Sequence, residues 1–467
     1  MRRIVTAELR DSWSAWLGVS LGFVMTGFGL TLAALVLQSA LAARESIPPM
    51  EADAYAIIAG SNLVLSTVVG LSLVGAATSL VIDSRRGAVA RLALAGATPA
   101  RVTGSLLAQL GAVAAACALI ADVLAWAALR PALDFLQRER GSESAGMAVA
   151  GVVEPSTVIA VNLMWVLVAV VGGYRQALLA SRIPPVEALR RSQGAQGPRR
   201  REVGRWARAA IAALVAVGMF AAVPALTANR TTETFTQIMQ LNLFGLVVVG
   251  WLFTELMPTI VRPLTAVWTA LVPGGASWLI ARATVLARAE RLARSVTPVM
   301  FTVGLTFGVI GLPATYNAIF AANGVNVKLE HVGADTFLVN LGMPLAIALC
   351  GSVGTLVMMS RQRAAELALL GIAGATPAQR SQAATLEAVI ITGTAALLGC
   401  AMVTVSFAHL AYATLSAGLG FALDVPLAPF FGALLVTTAI TVATTLVPTL
   451  GTQRLPEPRI IARFVAE

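Results

Sequence analysis

Few side chains in this sequence are equipped for chemistry, and their spacing excludes most of it. The two histidines, His331 and His409, stand 78 residues apart, so there is no His-Glu-x-x-His pair to hold a catalytic metal. Cys117, Cys350 and Cys400 all fall inside apolar runs, in neither a disulfide framework nor a metal-ligand spacing. Lys328 is the sole lysine, and a P-loop needs a glycine-rich turn with a lysine reaching the phosphates. ATP hydrolysis is therefore expected in a separate subunit, and the chain itself is read as non-catalytic, with no cofactor or metal of its own. Gly18-Val19-Ser20 and Gly70-Leu71-Ser72 offer serines, but nothing ties either to His409, as an intramembrane serine protease would require. Three acids inside apolar runs remain: Asp122, Glu255 and Glu387. Ionisable groups at membrane depth are costly and are functional candidates by default. Asp122 has the deepest apolar context, open between a helix-packing hydrogen bond and a substrate or gating role. Glu255 is expected to pair with Arg262 near the inner interface. Glu387 is expected to anchor its surroundings by bonding an arginine or the backbone.

A duplicated segment says more than any single residue. Ala-Gly-Ala-Thr-Pro-Ala occurs at 95 to 100 and at 373 to 378, and residues 85 to 101 align without a gap on 363 to 379 with nine identities in seventeen. Each copy sits between apolar runs at the end of a basic stretch, which marks an internal repeat rather than a chance match. Arg85, Arg86 and Arg91 in the first copy, and Arg361, Arg363 and Glu366 in the second, lie in or just before an Ala/Leu-rich helical stretch. Gly96 and Gly374 end that helix at a C-cap position, where a left-handed residue is easiest for glycine. Thr98-Pro99 and Thr376-Pro377 restart the chain as an N-cap followed by proline at the first helical position. The expectation is a short helix lying at the membrane surface, a sharp corner and a new transmembrane helix. Such an element is either an ordinary turn or a docking element for a cytoplasmic partner; its duplication favours docking.

The elements that carry these residues belong to a membrane protein. The chain is 57% hydrophobic and 12% charged, against about 25% charged for a soluble domain. About 20 mostly apolar residues are needed to cross the hydrocarbon core. Ten runs qualify, near 17–43, 56–82, 103–129, 156–179, 208–228, 238–260, 298–320, 336–359, 383–412 and 428–450. The predicted class is all-α and polytopic. The first run is too long for a signal peptide and lacks a convincing cleavage context, so it is read as a retained span. With a cytoplasmic N-terminus, inside segments carry 27 of the 33 Lys and Arg residues. The outside loops carry Arg44, Arg130, Arg138, Arg140, Arg230 and Lys328, together with eleven acids. That asymmetry follows the positive-inside rule and places both termini in the cytoplasm. The net charge of +10 reads as topology plus attraction to anionic lipid, with no soluble domain for nucleic acid.

Four sections follow: 1–190 with four spans, a basic linker at 191–206, two linking spans in 207–272, and 273–467 with four more spans. Two pseudo-symmetric modules are thus joined by two extra helices. Outside loops are short throughout, including 44–55, 130–155 and 321–335. Each module opens with an amphipathic segment. In the second, Trp278, Ala281, Val285, Ala289 and Leu292 share one helical face, and Arg288, Arg291 and Arg294 fall largely away from it. Residues 4 to 16 are a weaker version.

At this point the residues resemble a family. Arg363, Glu366, Ala368, Leu369, Leu370, Gly374, Ala375 and Thr376, followed by Leu386-Glu387-Ala388, resemble the FtsX/MacB-like permeases of ABC transporters. The first copy keeps Arg85, Gly96, Ala97 and Thr98 but has Ala88 and Gln109 where the second has Glu366 and Glu387. Residues 185 to 190 (Pro-Val-Glu-Ala-Leu-Arg) match the family's module-ending element, while Arg454-Leu455-Pro456-Glu457 has drifted. The four-two-four layout resembles the bacitracin-efflux branch, without its large extracellular domain. The resemblance implies a bacterial plasma-membrane permease bound to two copies of an ABC ATPase. Its substrate would be amphipathic or lipid-like, a peptide, antibiotic or lipid, and export is the favoured direction. A regulatory role of the cell-division type is the alternative; its members are single modules with an external partner-binding domain.

Overall fold

The computed structural model describes residues 13–45, 49–84, 96–138, 149–181, 200–228, 232–287, 289–324 and 334–453. All the elements among them are helical: α1 (Trp13–Ala42), a 3-10 turn (Ala43–Glu45), α2 (Pro49–Ser84), α3 (Pro99–Arg138), α4 (Pro155–Ser181), α5 (Arg200–Thr227), α6 (Thr232–Leu271), α7 (Ala276–Ala287), α8 (Ala289–Ala322), α9 (Ala334–Ile372), α10 (Pro377–Ser416) and α11 (Leu427–Gln453). Ten of the helices are long and apolar enough to cross a membrane; α7 is too short.

Side-chain placement fits hydrocarbon rather than water around the bundle. Ile159, Leu163, Leu167 and Val171 form an exposed stripe one turn apart on α4, and Leu119, Ile120, Val123 and Leu124 cover the outer face of α3. Patches of that size would drive association in water. The interior holds many hydroxyls, and several of them bond to their own helix: Thr265 to the Val261 carbonyl at 2.7 Å, Thr302 to that of Pro298 at 3.0 Å, Thr392 to that of Ala388 at 3.0 Å. Those three need no water.

One packing pattern occurs twice. Among the first four helices, α1 packs on α2, α3 and α4, while α4 also meets α2 and α3. Among the last four, α8 packs on α9, α10 and α11, while α11 also meets α9 and α10. The two quartets meet chiefly through α9, which lies against α1 and α2. There Gly18 of α1 and Gly354 of α9 bring backbones together: a Cβ on Gly18 would stand 2.6 Å from the Gly354 carbonyl oxygen. Nearby, Asn62 of α2 donates from Nδ2 to the Val339 carbonyl of α9 at 2.7 Å. Asn62 and Asn340, both buried, are separated by the same 278 residues that separate the two copies of the duplicated segment. The pairing of quartets is not symmetric. α8 touches α2 only lightly, and α6 packs instead on α2, α8 and α10. α8 is enclosed on nearly every side, whereas α11 lies almost wholly on the outside of the bundle.

Several helix ends extend past the expected runs, as α3 shows. α3 runs to Arg138, so Arg130 stands on a helix that continues through Pro131 rather than in a loop starting at 130.

Candidate functional site

The second corner has the geometry its sequence calls for. Gly374 adopts φ +94°. The Gly374 amide donates to the Gly371 carbonyl at 3.0 Å and that of Ala375 to the Leu370 carbonyl at 2.9 Å. This pair of bonds is a Schellman motif, which satisfies carbonyls left over at the end of α9. Thr376 then caps α10: its Oγ1 accepts from the Gln379 amide at 3.3 Å, and Gln379 Oε1 accepts from the Thr376 amide at 3.0 Å. Pro377 opens the helix. A Cβ on Gly374 would meet nothing within 4 Å, so the demand for glycine comes from the backbone angle alone.

The first corner repeats this plan. Gly96 has φ +83°, α3 begins at Pro99, and the Val102 amide donates to the Thr98 carbonyl at 3.1 Å. Residue for residue, both corners show the same exposure: Gly96, Thr98 and Pro99 are exposed with Ala97 partly covered, as are Gly374, Thr376 and Pro377 with Ala375. Position N3 differs, being Arg101 in place of Gln379. Arg85, Arg86 and Arg91 lie outside the described residues.

The expected surface helix before the second corner is not a separate element. Arg361, Arg363 and Glu366 belong to α9, which runs unbroken from Ala334 to Ile372; their side-chain positions lie outside what is described. No proline or glycine interrupts residues 355 to 370, so nothing breaks the helix as it leaves the apolar stretch ending at Met359. At 1.5 Å per residue, α9 projects about 20 Å beyond that stretch.

The amphipathic α7 buries Trp278, Ala281 and Val285 as its pattern implies, and Leu292 is buried in α8. Sequence reasoning passed over Arg282, which pins this helix: its Nε donates to Thr269 Oγ1 at 3.0 Å and its Nη2 to the Ala266 carbonyl at 3.2 Å. Trp278 Nε1 donates to the Thr269 carbonyl at 3.3 Å. The i, i+4 spacing of Trp278 and Arg282 was the available signal. Arg294 is partly buried, and the side chains of Arg288, Ala289 and Arg291 are outside the description.

Asp122 joins three spans. Its Oδ1 accepts from Thr31 Oγ1 of α1 at 3.2 Å, and its Oδ2 from Asn162 Nδ2 of α4 at 2.7 Å. Glu255 does not pair with Arg262. The bidentate partner is Arg208 of α5, with Nε to Oε1 at 2.6 Å and Nη2 to Oε2 at 2.8 Å. Arg262 lies seven residues along the same helix, about 10 Å away in rise, whereas α5 packs directly on α6. Glu387 is buried on α10, two turns from the buried Arg380 on the same face. Gln109, its counterpart 278 residues earlier, is buried as well. His409 meets Phe220 edge-on at 5.0 Å, while Ser20 and Ser72 donate to the carbonyls of Trp16 and Val68 on their own helices.

Fold and site together define an all-α polytopic membrane protein with two matched corners. No known protein-family model matches the chain, and no curated protein matches it in sequence.

Proposed function

We propose that this chain is the transmembrane permease subunit of an ABC transporter, with ATP hydrolysed by two separate ATPase subunits that dock at the two corners. The observation that carries the reading is the pair of corners. Each has glycine with positive φ, a threonine before the proline that opens a span, and the same exposed surface, 278 residues apart. Two copies of one surface suit two copies of one partner. The continuous α9 adds a lever, since a helix without a break transmits displacement from Gly374 to the α1–α9 contact at Gly354. The recurrence of one packing pattern in two quartets supports a pseudo-twofold permease within one polypeptide. The basic face, read as cytoplasmic, would carry the ATPases. The apolar exterior supports a substrate that is amphipathic or lipid-like and drawn from the membrane, with export the favoured direction.

The test is co-expression with the ABC ATPase encoded nearest the gene and affinity capture through this chain. Co-purification with ATPase activity that depends on Gly374 supports the reading. A chain that captures no ATPase and stimulates none refutes it.

A further inference from the structure

A crevice lies between α10 and α11. It has a volume of about 570 Å³ and runs along α10 from Ala396 to Ala411, roofed by Phe421, Leu423 and Val425. At 1.5 Å per residue that stretch of α10 is about 22 Å long, more than the roughly 15 Å hydrocarbon depth of one leaflet. The wall offers almost nothing polar. Its single hydroxyl, on Thr404, donates to the Cys400 carbonyl of its own helix at 2.8 Å. The mouth faces outward, since Leu423, Leu427 and Phe431 are largely exposed. The roof is fixed: Thr315 donates to the Asp424 carbonyl at 2.9 Å, and Asn323 bonds both ways to Gly420 at 2.7 and 2.9 Å.

The first quartet is tied shut at the corresponding place. Buried positions on α3 recur on α10 at an interval of 278 residues, as with Leu110 and Ala388, Ala118 and Ala396, and Ala125 and Val403. On that register Asp122, which ties α3 to Asn162 of α4, corresponds to Cys400, which lines the crevice. A thiol lacks the carboxylate's strong accepting power, so α11 loses the tie that holds α4.

An apolar crevice at membrane depth does not hold water, and left empty it forfeits the dispersion contacts of its walls. Hydrocarbon is the occupant such a wall would suit. Charge at the rim narrows the choice. Asp424 is exposed between two roof residues, and residues 381 to 453 contain no Lys or Arg. None of the residues lining the crevice is a cation, so the exposed carboxylate of Asp424 would repel an anionic headgroup and attract an ammonium one. We propose that the crevice is a binding site for one acyl chain of a zwitterionic aminophospholipid, with its ammonium against Asp424. The site requires only a membrane-spanning bundle and stands apart from the transporter proposal.

The test uses the full-length chain in lipid nanodiscs and phosphatidylethanolamine carrying a photoactivatable group in its acyl chain. Adducts should concentrate in peptides spanning 396 to 434 and fall at least tenfold in Ala408→Trp and Thr404→Trp, which fill the crevice. Thermal unfolding midpoints report folding of each variant, and two fillers guard against failure of either. Asp424→Asn should weaken phosphatidylethanolamine labelling severalfold while leaving phosphatidylglycerol labelling unchanged. Adducts spread evenly over the exposed stripe of α4 as well would overturn the proposal. So would equal labelling by both lipids, or a dimer of the chain that excludes the probe from the crevice. ATPase capture is read separately, so failure here leaves the permease reading intact, and the converse holds.

Discussion

Asp122 reaches its partners through neutral donors, Thr31 from one side and Asn162 from the other. An amide in its place can serve the same network, because the hydroxyl and the carboxamide of its partners can each reverse their roles. Asp122→Asn should therefore keep the thermal unfolding midpoint in detergent close to wild type, while Asp122→Leu should lose about 1 kcal/mol, the scale of interhelical hydrogen bonds in membranes. Full activity in Asp122→Asn would mark a packing role; an intact fold without activity would assign a charge-dependent one. The acid itself was legible in the sequence. Its partners were not, since Thr31 and Asn162 lie 91 and 40 residues away. The corners invite a second comparison. Glu366 has no counterpart at Ala88, and an interfacial charge that loses its partner costs about 2–5 kcal/mol when buried and far less at the rim. Glu366→Ala should reduce ATPase stimulation more than Ala88→Glu changes it, with normal membrane insertion. Gly374→Val should be worse, because a β-branched residue resists φ +94°. ATPase assays on the reconstituted complex measure all three, and unchanged coupling in both Glu366→Ala and Gly374→Val would reduce the corner to a turn.

Helices were the easiest elements to anticipate and their ends the hardest. All ten spans are present because long apolar runs leave the backbone no other way to satisfy its hydrogen bonds in lipid. The corner was equally readable, since glycine, threonine and proline act locally through φ, capping and a missing amide. What the runs concealed was continuity: hydropathy falls at Arg361 while the helix of α9 continues through Ala/Leu-rich sequence, so the expected surface helix became an extension of a span. Partners across space also escaped. Glu255 was matched to Arg262 along the chain, whereas packing supplies Arg208 from a neighbouring helix. The contact between α1 and α9 gives the prediction at this scale. Leucine at Gly354 would overlap the backbone of Gly18, and overpacking costs about 1–3 kcal/mol or more. Gly354→Leu should lower the unfolding midpoint of the chain, read as a thermal shift in detergent. A midpoint equal to wild type would show that the close approach carries no stability.

At the scale of the whole molecule, both quartets lie in one chain, so a second copy is unnecessary to supply the second quartet. One permease with two ATPases is the expected assembly, and native mass measurement of the purified complex decides it; two permeases with two ATPases would sink the idea. The asymmetry within the bundle is the part that the repeat could not announce. α6 stands where a symmetric molecule would bring α8 onto α2, and Cys400 replaces the acid that closes the first quartet.

The glycine contact between α1 and α9 also bears on how the protein is made. Gly354 leaves the ribosome about 340 residues after Gly18, roughly 20 to 70 s later at usual synthesis rates. Throughout that interval the glycine face of α1 has no native occupant from the second quartet. A nascent chain stalled before residue 334 would expose that face to the bilayer, where small-residue surfaces invite other helices. That exposure ends only when α9, the eighth of the ten candidate spans, enters the bilayer.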